Sequence, residues 1–283
     1  MTDKQIEIAL GFYGIDDVRY RSALRACLEE ITKNEILSNG FKTAGERLFT
    51  DVCSEQKELW GLSSAQNLFG CEMPDFSADL LILSGYKVHK KNFLRFGVDE
   101  EQQKIHIYRV RQQLAMGWPA RPLNLTNILW ASEFINLRIT EIGRLQYEFD
   151  NSDGKSNVST VNIHIPADGR LDDEAVEESL SSARIYIKNL YKTTPDFYKC
   201  KSWLLSNGIT DLYKPGSNLD LFRKRFAVIK DGGPCTDDVL TYLFRCPAAT
   251  PFNELPENTS LQRAVKKRLL TGCRILIGEG ILK

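Results

Sequence analysis

Three side chains in the sequence have the chemistry of a base or a nucleophile. His164 lies in an alternating segment that ends at Pro166, and a histidine can exchange a proton near neutral pH. Glu148 lies in a second alternating segment and is an alternative base, which could act directly or through a water molecule. Cys200 would be a covalent nucleophile only if a nearby histidine or cation lowered its pKa, and the sequence shows no such partner. We therefore interpret Cys200 as a buried structural cysteine.

Both candidate bases also have structural interpretations. His164 could instead hydrogen-bond within a sheet and support the fold. Glu148 shares one face of its strand with Arg144 and Gln146, because side chains alternate along a strand. This row of polar side chains either lines a cleft or forms the solvated face of an antiparallel strand. The sequence leaves both alternatives open.

The sequence does not indicate a metal site or a disulfide framework. The three histidines, at positions 89, 106 and 164, lack a spacing typical of metal ligands, so we predict no metal. The seven cysteines contain no CxxC pair, which argues against a zinc site and against paired cysteines. Reduced cysteines are typical of the cytoplasm, where we expect this protein.

Charge and hydropathy narrow the function further. Lys and Arg number 37, as do Asp and Glu, so the net charge is zero and binding of nucleic acid through bulk charge is not expected. No apolar run approaches the roughly 20 residues that span a membrane, and the polar N-terminal residues do not resemble a secretory signal. The length of 283 residues, with 42% hydrophobic residues, suits two folded domains.

The first part of the chain is predicted to be mainly helical. Residues 16–116 carry apolar side chains at helical spacing. Residues 103–114 partly alternate like a strand, but we favour a helix there because the surrounding segments are helical. We expect Pro74 to open one of the helices, since proline is tolerated in a first turn.

Two prolines mark the predicted domain boundary. Pro119 and Pro122 cannot lie inside a continuing helix. We therefore predict a helical N-terminal domain over residues 1–122 and a second domain over residues 123–283.

The second domain mixes alternating segments with helical ones. A strand pair, a crossover helix and further strands imply an α/β (α+β) fold with a mixed, largely antiparallel sheet and flanking helices. The first two strands are expected to form an antiparallel hairpin around a turn at 151–154. Predicted strands cover 143–149, 158–165, 197–205, 226–230, 239–246 and 275–277, and predicted helices start at Asp172 and, through a capping box, at Thr259.

Several short motifs in this second domain carry a family resemblance. They are Gly143–Glu148 (GRLQYE), Ile163–Pro166 (IHIP), Cys200–Leu205 (CKSWLL), Ser217-Asn218 with Phe222–Phe226 (FRKRF), and Thr259–Ala264 (TSLQRA). In this order they resemble a bacterial family of acyltransferase-domain proteins, common in Firmicutes and Actinobacteria. Its members pair a helical N-acyltransferase N-terminal domain with a GNAT-like C-terminal domain.

The resemblance implies an acyl-CoA-dependent N-acyltransferase that acts on a small-molecule or peptide amine. Such a reaction needs a base for the amine proton, a donor to the oxyanion and an acid for the departing thiolate. His164 or Glu148 is the candidate base, Ser202 the candidate oxyanion donor and Tyr213 the candidate acid. The candidate residues for binding acetyl-CoA or another acyl-CoA are Ile165, Arg170, Trp203, Asn218 and Arg223.

A second hypothesis is a non-catalytic GNAT-like binding or regulatory module. The loop at 167–171 lacks the R/Q-x-x-G-x-G/A pattern of GNAT diphosphate loops, and six acidic residues lie between positions 168 and 178 against the single Arg170. Carboxylates would compete with phosphate for the start of the following helix. A third hypothesis, a hydrolase that uses Cys200, belongs to another enzyme class. The sequence does not indicate the oligomeric state.

Overall fold

A computed structural model of the chain describes residues 1–50, 58–117, 123–150, 160–192 and 194–283. It divides into two compact units, one of residues 1–141 and one of residues 142–150 with 158–283. The chain therefore passes from one unit to the other at Glu141/Ile142, about 20 residues beyond the predicted boundary. The prolines on which that prediction rested lie outside the described residues.

The first unit is built from helices, as predicted. Their bounds are α1 Asp3–Tyr13, α2 Val18–Lys33, α3 Glu35–Leu48, α4 Ala65–Phe69, α5 Ser77–Ser84, α6 Tyr86–Phe96, α7 Glu100–Gly117 and α8 Leu125–Ile135. The helical prediction for 103–114 is confirmed, because these residues lie inside α7. The prediction for Pro74 is wrong: α5 begins at Ser77, and the Pro74 carbonyl accepts from the Ser77 N–H instead.

Two buried histidines lie in the interior of this unit. His89 and His106 are 0% and 1% exposed, and their ring centroids are 6.0 Å apart. His89 Nδ1 lies 3.4 Å from the Tyr13 hydroxyl, whereas its Nε2 is buried without a hydrogen-bond partner among the described residues. The two nitrogens of His106 lie 3.3 Å from the Phe134 carbonyl and 3.4 Å from the Thr140 hydroxyl. Such an environment stabilises neutral imidazole rings.

A β-sheet is the main element of the second unit. Its strands are β1 Ile139–Ile142, β2 Leu145–Asp150, β3 Thr160–His164, β4 Phe197–Ser202, β5 Phe226–Pro234 and β6 Leu276–Leu282, in the spatial order β1-β2-β3-β4-β6-β5. The predicted hairpin is confirmed, since β2 pairs antiparallel with β3. β3 pairs parallel with β4, and the remaining described pairs are antiparallel. The predicted mixed, largely antiparallel sheet is thus confirmed.

Helices complete the second unit. They are α9 Asp173–Tyr191, α10 Asn218–Lys224, α11 Thr236–Val239 and α12 Ser260–Leu270. The predicted capping box at Thr259 and Gln262 is present at the start of α12. The strand predicted at 239–246 is wrong, because α11 continues through this segment as a π-helical turn. The spacing of the buried side chains of Val239, Leu240 and Phe244 suits that helical path.

The alternation of β2, β3 and β4 separates a core face from a polar face. Tyr147, Val161, Ile163 and Cys200 are buried on the core face, in a cluster that includes apolar side chains of α9. The neighbouring residues along β2 and β3 therefore point to the opposite face. That face carries Glu148 and His164.

The end of β4 differs from the predicted strand 197–205. The strand ends at Ser202, and Trp203–Leu205 form a 3-10 turn. β6 passes close to this turn at Gly278, where an added Cβ would lie 2.3 Å from the Leu205 carbonyl oxygen. Only glycine allows that approach.

None of the helices in the described ranges is long and apolar enough to cross a membrane.

Candidate functional site

The two candidate bases form a hydrogen-bonded pair. His164 Nε2 lies 2.8 Å from Glu148 Oε2, and the two side chains are 28% and 30% exposed. The β2–β3 register explains the contact: Gln146 is opposite His164 and Glu148 is opposite Asn162, so His164 and Glu148 are diagonal neighbours on one face. Long side chains reach each other across such a diagonal. The structure thus joins two residues that the sequence offered as alternatives.

The direction of this hydrogen bond determines which ring nitrogen of His164 can accept a proton. An ionised carboxylate only accepts, so Glu148 receives the Nε2 proton of His164. The neutral ring then carries its lone pair on Nδ1, and the carboxylate stabilises the imidazolium that forms when Nδ1 takes a proton. His164 has the properties of a base, and Glu148 orients it.

Asn162 is a third member of this group, which sequence reasoning missed. Its Nδ2 donates to Glu148 Oε2 over 3.3 Å, so that one carboxylate oxygen receives both donors. The alternation of β3 places Asn162 on the same face as His164, two residues away. That spacing was visible in the sequence, but its meaning depends on the register with β2.

The parallel pairing of β3 and β4 ends beside His164. The last paired residues are Ile163 and Cys200, whereas β4 continues along β6 as far as Ser202 opposite Gly278. Ile165 follows directly, and its half-buried side chain contacts two of the apolar clusters. Backbone that leaves a parallel ladder has polar groups available for another partner.

The start of α9 follows this point in the chain. Its N-cap, Asp172, makes no side-chain cap hydrogen bond. The Asp172 carboxylate accepts instead from Asn218 Nδ2 at 2.9 Å, and Arg170 Nε lies 3.5 Å from it. The first N–H groups of a helix have no acceptor within the helix. The Asp172 carboxylate therefore does not occupy the N–H groups at the helix start.

The next acidic residues of α9 are paired with an arginine. Arg225 donates to Asp173 Oδ1 at 2.6 Å and forms an ion pair with Glu177. Two of the six acids counted in the sequence thus face a guanidinium from the end of α10. The local charge near the helix start is less negative than the sequence count implies.

Arg144 shapes the loop between β3 and α9. Its guanidinium donates to three backbone carbonyls of the loop, those of Arg170 at 2.6 Å, Pro166 at 2.9 Å and Gly169 at 3.0 Å. Gly169 adopts a φ of +94°, which glycine tolerates. Of the predicted row, Gln146 and Glu148 share the face that carries His164, although Gln146 is only 4% exposed, whereas Arg144 precedes β2.

Ser202, Trp203 and Tyr213 meet around the 3-10 turn after β4. Ser202 Oγ accepts from the Leu204 N–H at 3.2 Å, and Trp203 packs against an apolar cluster. The buried Tyr213 hydroxyl donates to the Leu204 carbonyl at 3.0 Å. Burial raises the pKa of Tyr213 well above its usual value. These contacts stabilise the turn, and an acid role for Tyr213 would first require the loss of its hydrogen bond.

Arg223 and Cys200 lie in structural positions. Arg223 Nη1 donates to the Phe226 carbonyl at 3.2 Å, which links α10 to β5. Cys200 is 1% exposed, and burial raises the pKa of its thiol to about 12. A thiol with that pKa contains almost no thiolate at neutral pH, so a covalent role for Cys200 is disfavoured. Among the described residues no group of three His, Cys, Asp or Glu is placed to bind a metal.

Comparisons with solved structures reveal relatives of this fold. An acyltransferase mutant in complex with octanoyl-CoA matches with a TM-score of 0.75 and 17% identity, over 99% of this chain and 88% of that chain. An acyltransferase in complex with decanoyl-CoA matches with a TM-score of 0.68 and 16% identity, over 98% of both chains.

A further match is an acyltransferase in complex with decanoyl-CoA and teicoplanin, with a TM-score of 0.63 and 21% identity. It covers 73% of this chain and 66% of that chain, so the match spans just under two thirds of that relative. At such identities the likeness is one of fold. No curated protein sequence matches the chain.

A family model for the GNAT-like C-terminal domain matches residues 139–282, which is half of the chain. This range contains all six strands of the sheet and the His164–Glu148 pair. The chain therefore belongs to the family of proteins with a GNAT-like C-terminal domain.

Proposed function

We propose that this protein is an acyl-CoA-dependent N-acyltransferase. The observation that carries the proposal is the His164–Glu148 pair, which lies where the parallel pairing of β3 and β4 ends. The pair provides an oriented, partly exposed base next to backbone groups that are no longer paired between β3 and β4. The acyl-CoA complexes of the structurally similar acyltransferases support the same function.

The proposed reaction transfers the acyl group in two steps. The acceptor nitrogen attacks the thioester carbonyl carbon and forms the new C–N bond, while His164 Nδ1 takes the amine proton. The C–S bond then breaks, and the departing thiolate takes up one proton to leave as CoA thiol. A base of this kind contributes about 10²–10⁴-fold to the rate. Glu148 stays ionised and stabilises the imidazolium.

Acyl-CoA is the co-substrate for which the loop and α9 provide binding groups. The Ile165 backbone lies at the end of the β3–β4 pairing, next to the base, and fits the pantetheine arm. The start of α9 has no side-chain cap, and its N–H groups fit the diphosphate. Arg170 and Asn218, both in contact with Asp172, lie at this helix start. These contacts remove one reason for the non-catalytic alternative, namely carboxylates that occupy the phosphate position.

The acyl chain and the acceptor are proposed by analogy with the relatives. Those proteins bind octanoyl-CoA or decanoyl-CoA, and one complex contains teicoplanin. We propose a medium-length acyl chain and a small-molecule amine acceptor. A bacterial origin and a location in the cytoplasm complete the proposal, supported by the family resemblance of the motifs and by the need for acyl-CoA.

Ligand binding and turnover test the proposal in sequence. Thermal shift and calorimetry with CoA, acetyl-CoA, octanoyl-CoA and decanoyl-CoA come first. A ligand at 100 times its Kd stabilises the fold by about 2.7 kcal/mol, which is readily measured. Turnover of an amine panel with the bound acyl-CoA follows, with product detected by mass spectrometry.

The variant His164→Ala is expected to bind acyl-CoA but to lose most of its turnover. Thr160→Ala is the matched control, because Thr160 lies on the same face of β3, four residues from His164. Absence of binding to every acyl-CoA by folded protein would refute the proposal and favour the binding-module hypothesis.

A further inference from the structure

Asn162 occupies a particular place on the polar face of the sheet. It lies on β3 directly opposite Glu148 in the antiparallel register and is half-buried. On its other side, Lys199 of β4 is its parallel partner. Asn162 is thus the uncharged residue between the carboxylate and a neighbouring lysine.

The hydrogen bond between Asn162 and Glu148 has only one chemically sensible orientation. A carboxylate accepts and does not donate, so the amide must present its Nδ2 to Glu148. The same Oε2 atom receives Nε2 of His164 at 2.8 Å. Asn162 therefore fixes the oxygen that holds the ring proton of the base.

The Glu148 side chain is 30% exposed, so a second hydrogen-bond donor can hold it in one position. Its side chain has three rotatable bonds, and water competes for both carboxylate oxygens. A second donor, the side-chain amide of a residue in β3, restricts the rotamer in which Oε2 faces His164. We propose that Asn162 is a positioning residue of the acyl-transfer reaction, which acts through Glu148 on His164.

The inference rests on the proposed function and predicts a specific kinetic pattern. Asn162→Ala should lower kcat about three- to tenfold and leave KM for acyl-CoA and for the amine unchanged, because Asn162 contacts the positioning carboxylate rather than a substrate. The kcat–pH profile of Asn162→Ala should change in the same direction as that of Glu148→Gln. Glu148→Gln should show both effects more strongly.

A double-mutant cycle isolates the route through Glu148. In the Glu148→Gln background, Asn162→Ala should have no further effect on kcat or on the pH profile. Thr160→Ala, on the same strand face, is the control for a general change in β3. An effect of Asn162→Ala that persists in the Glu148→Gln background would overturn the proposal, as would a wild-type pH profile of Asn162→Ala.

Proton NMR of the histidine rings gives a readout that does not need turnover. The chain has three histidines, of which two are buried, and His164→Gln assigns the remaining signal. The His164 ring signal should change in Asn162→Ala in the same direction as in Glu148→Gln. The nearby charged groups, Lys199 and Lys201 on β4, are the same in all variants.

This experiment separates two kinds of failure. If the ring signal of His164 changes as expected but no amine is acylated, the proposed function fails while the positioning contact stands. If amines are acylated and Asn162→Ala leaves the ring signal of His164 unchanged, the positioning role is refuted and the function stands.

Discussion

Mild acid should destabilise the first unit, because its two buried histidines resist protonation. Burial lowers the pKa of His106 from 6.5 to about 4. Burial also lowers the pKa of His89 well below its usual value, with a contribution from His106. In the unfolded chain both rings regain their ordinary proton affinity. At pH 5 the two histidine rings together therefore bind about two more protons in the unfolded state than in the folded state.

The size of the effect follows from the linkage between protons and folding. Free energy of unfolding rises with pH wherever the unfolded state binds more protons. For His106, a decrease from pH 7 to pH 5 costs about 2 kcal/mol, and the loss continues until the pH passes the folded pKa of about 4. His89 contributes a loss in the same direction, because burial lowers its pKa as well.

Asp79 opposes this loss. Burial raises its pKa from 3.8 to about 6, although a hydrogen bond from Tyr20 at 2.6 Å acts in the other direction. At pH 5 the folded state therefore binds a proton on Asp79 that the unfolded state does not bind. This proton offsets about 1 kcal/mol of the loss in the free energy of unfolding. The loss from His106 exceeds the gain from Asp79 by about 0.5–1 kcal/mol between pH 7 and pH 5, and His89 adds to this loss.

Urea unfolding at pH 7 and pH 5, followed by far-UV circular dichroism, measures this loss. His89→Phe should reduce the pH dependence, because its ring packs among Phe12, Phe93 and Tyr13 and its Nε2 has no partner among the described residues. Asp79→Asn is the complementary variant and should enlarge the loss by about 1 kcal/mol. If His89→Phe loses as much stability as the wild type between the two pH values, the linkage argument is wrong.

Three further predictions concern the second unit. His164→Ala should lower kcat by about 10²–10⁴-fold and Glu148→Gln by a smaller factor, measured as initial rates with saturating acyl-CoA; equal activity of both variants and the wild type would exclude the pair as the base. Cys200→Ala should cost roughly 1–2 kcal/mol of stability in urea unfolding and keep full activity, whereas loss of activity in folded protein would revive the cysteine hydrolase hypothesis. Arg144→Ala should weaken acyl-CoA binding by about tenfold in calorimetry and change kcat little, because its three carbonyl contacts hold the loop; unchanged affinity would show that the loop keeps its shape without them.

Much of the second unit was predictable from alternation and capping. The segments around Glu148 and His164 alternate strictly, so the hairpin and the polar face follow from the period of two. The capping box at Thr259 likewise identified the start of α12. The strand predicted at 239–246 was wrong because a short apolar run suits a strand and a buried helical turn equally well.

The contacts of the site could not be predicted in the same way. Whether Glu148 meets His164 depends on the register between two strands, and a shift of one residue would move them to opposite faces. The partner of Asp173 is Arg225, 52 residues later in the chain, so a local count of acids could not show that it is neutralised. Arg144 was assigned to a strand face because the strand begins at Leu145, two residues later than the alternation suggested.

The way in which Arg144 holds its loop has a consequence for the evolution of this protein. All three contacts run to backbone carbonyls, and every residue type presents the same carbonyl. Selection for the shape of the loop therefore acts on the arginine outside it and on Gly169, more than on the types of the residues whose carbonyls the arginine holds. Homologues that bind the same ligand need not share a recognisable loop sequence, and a search based on a loop signature would overlook them.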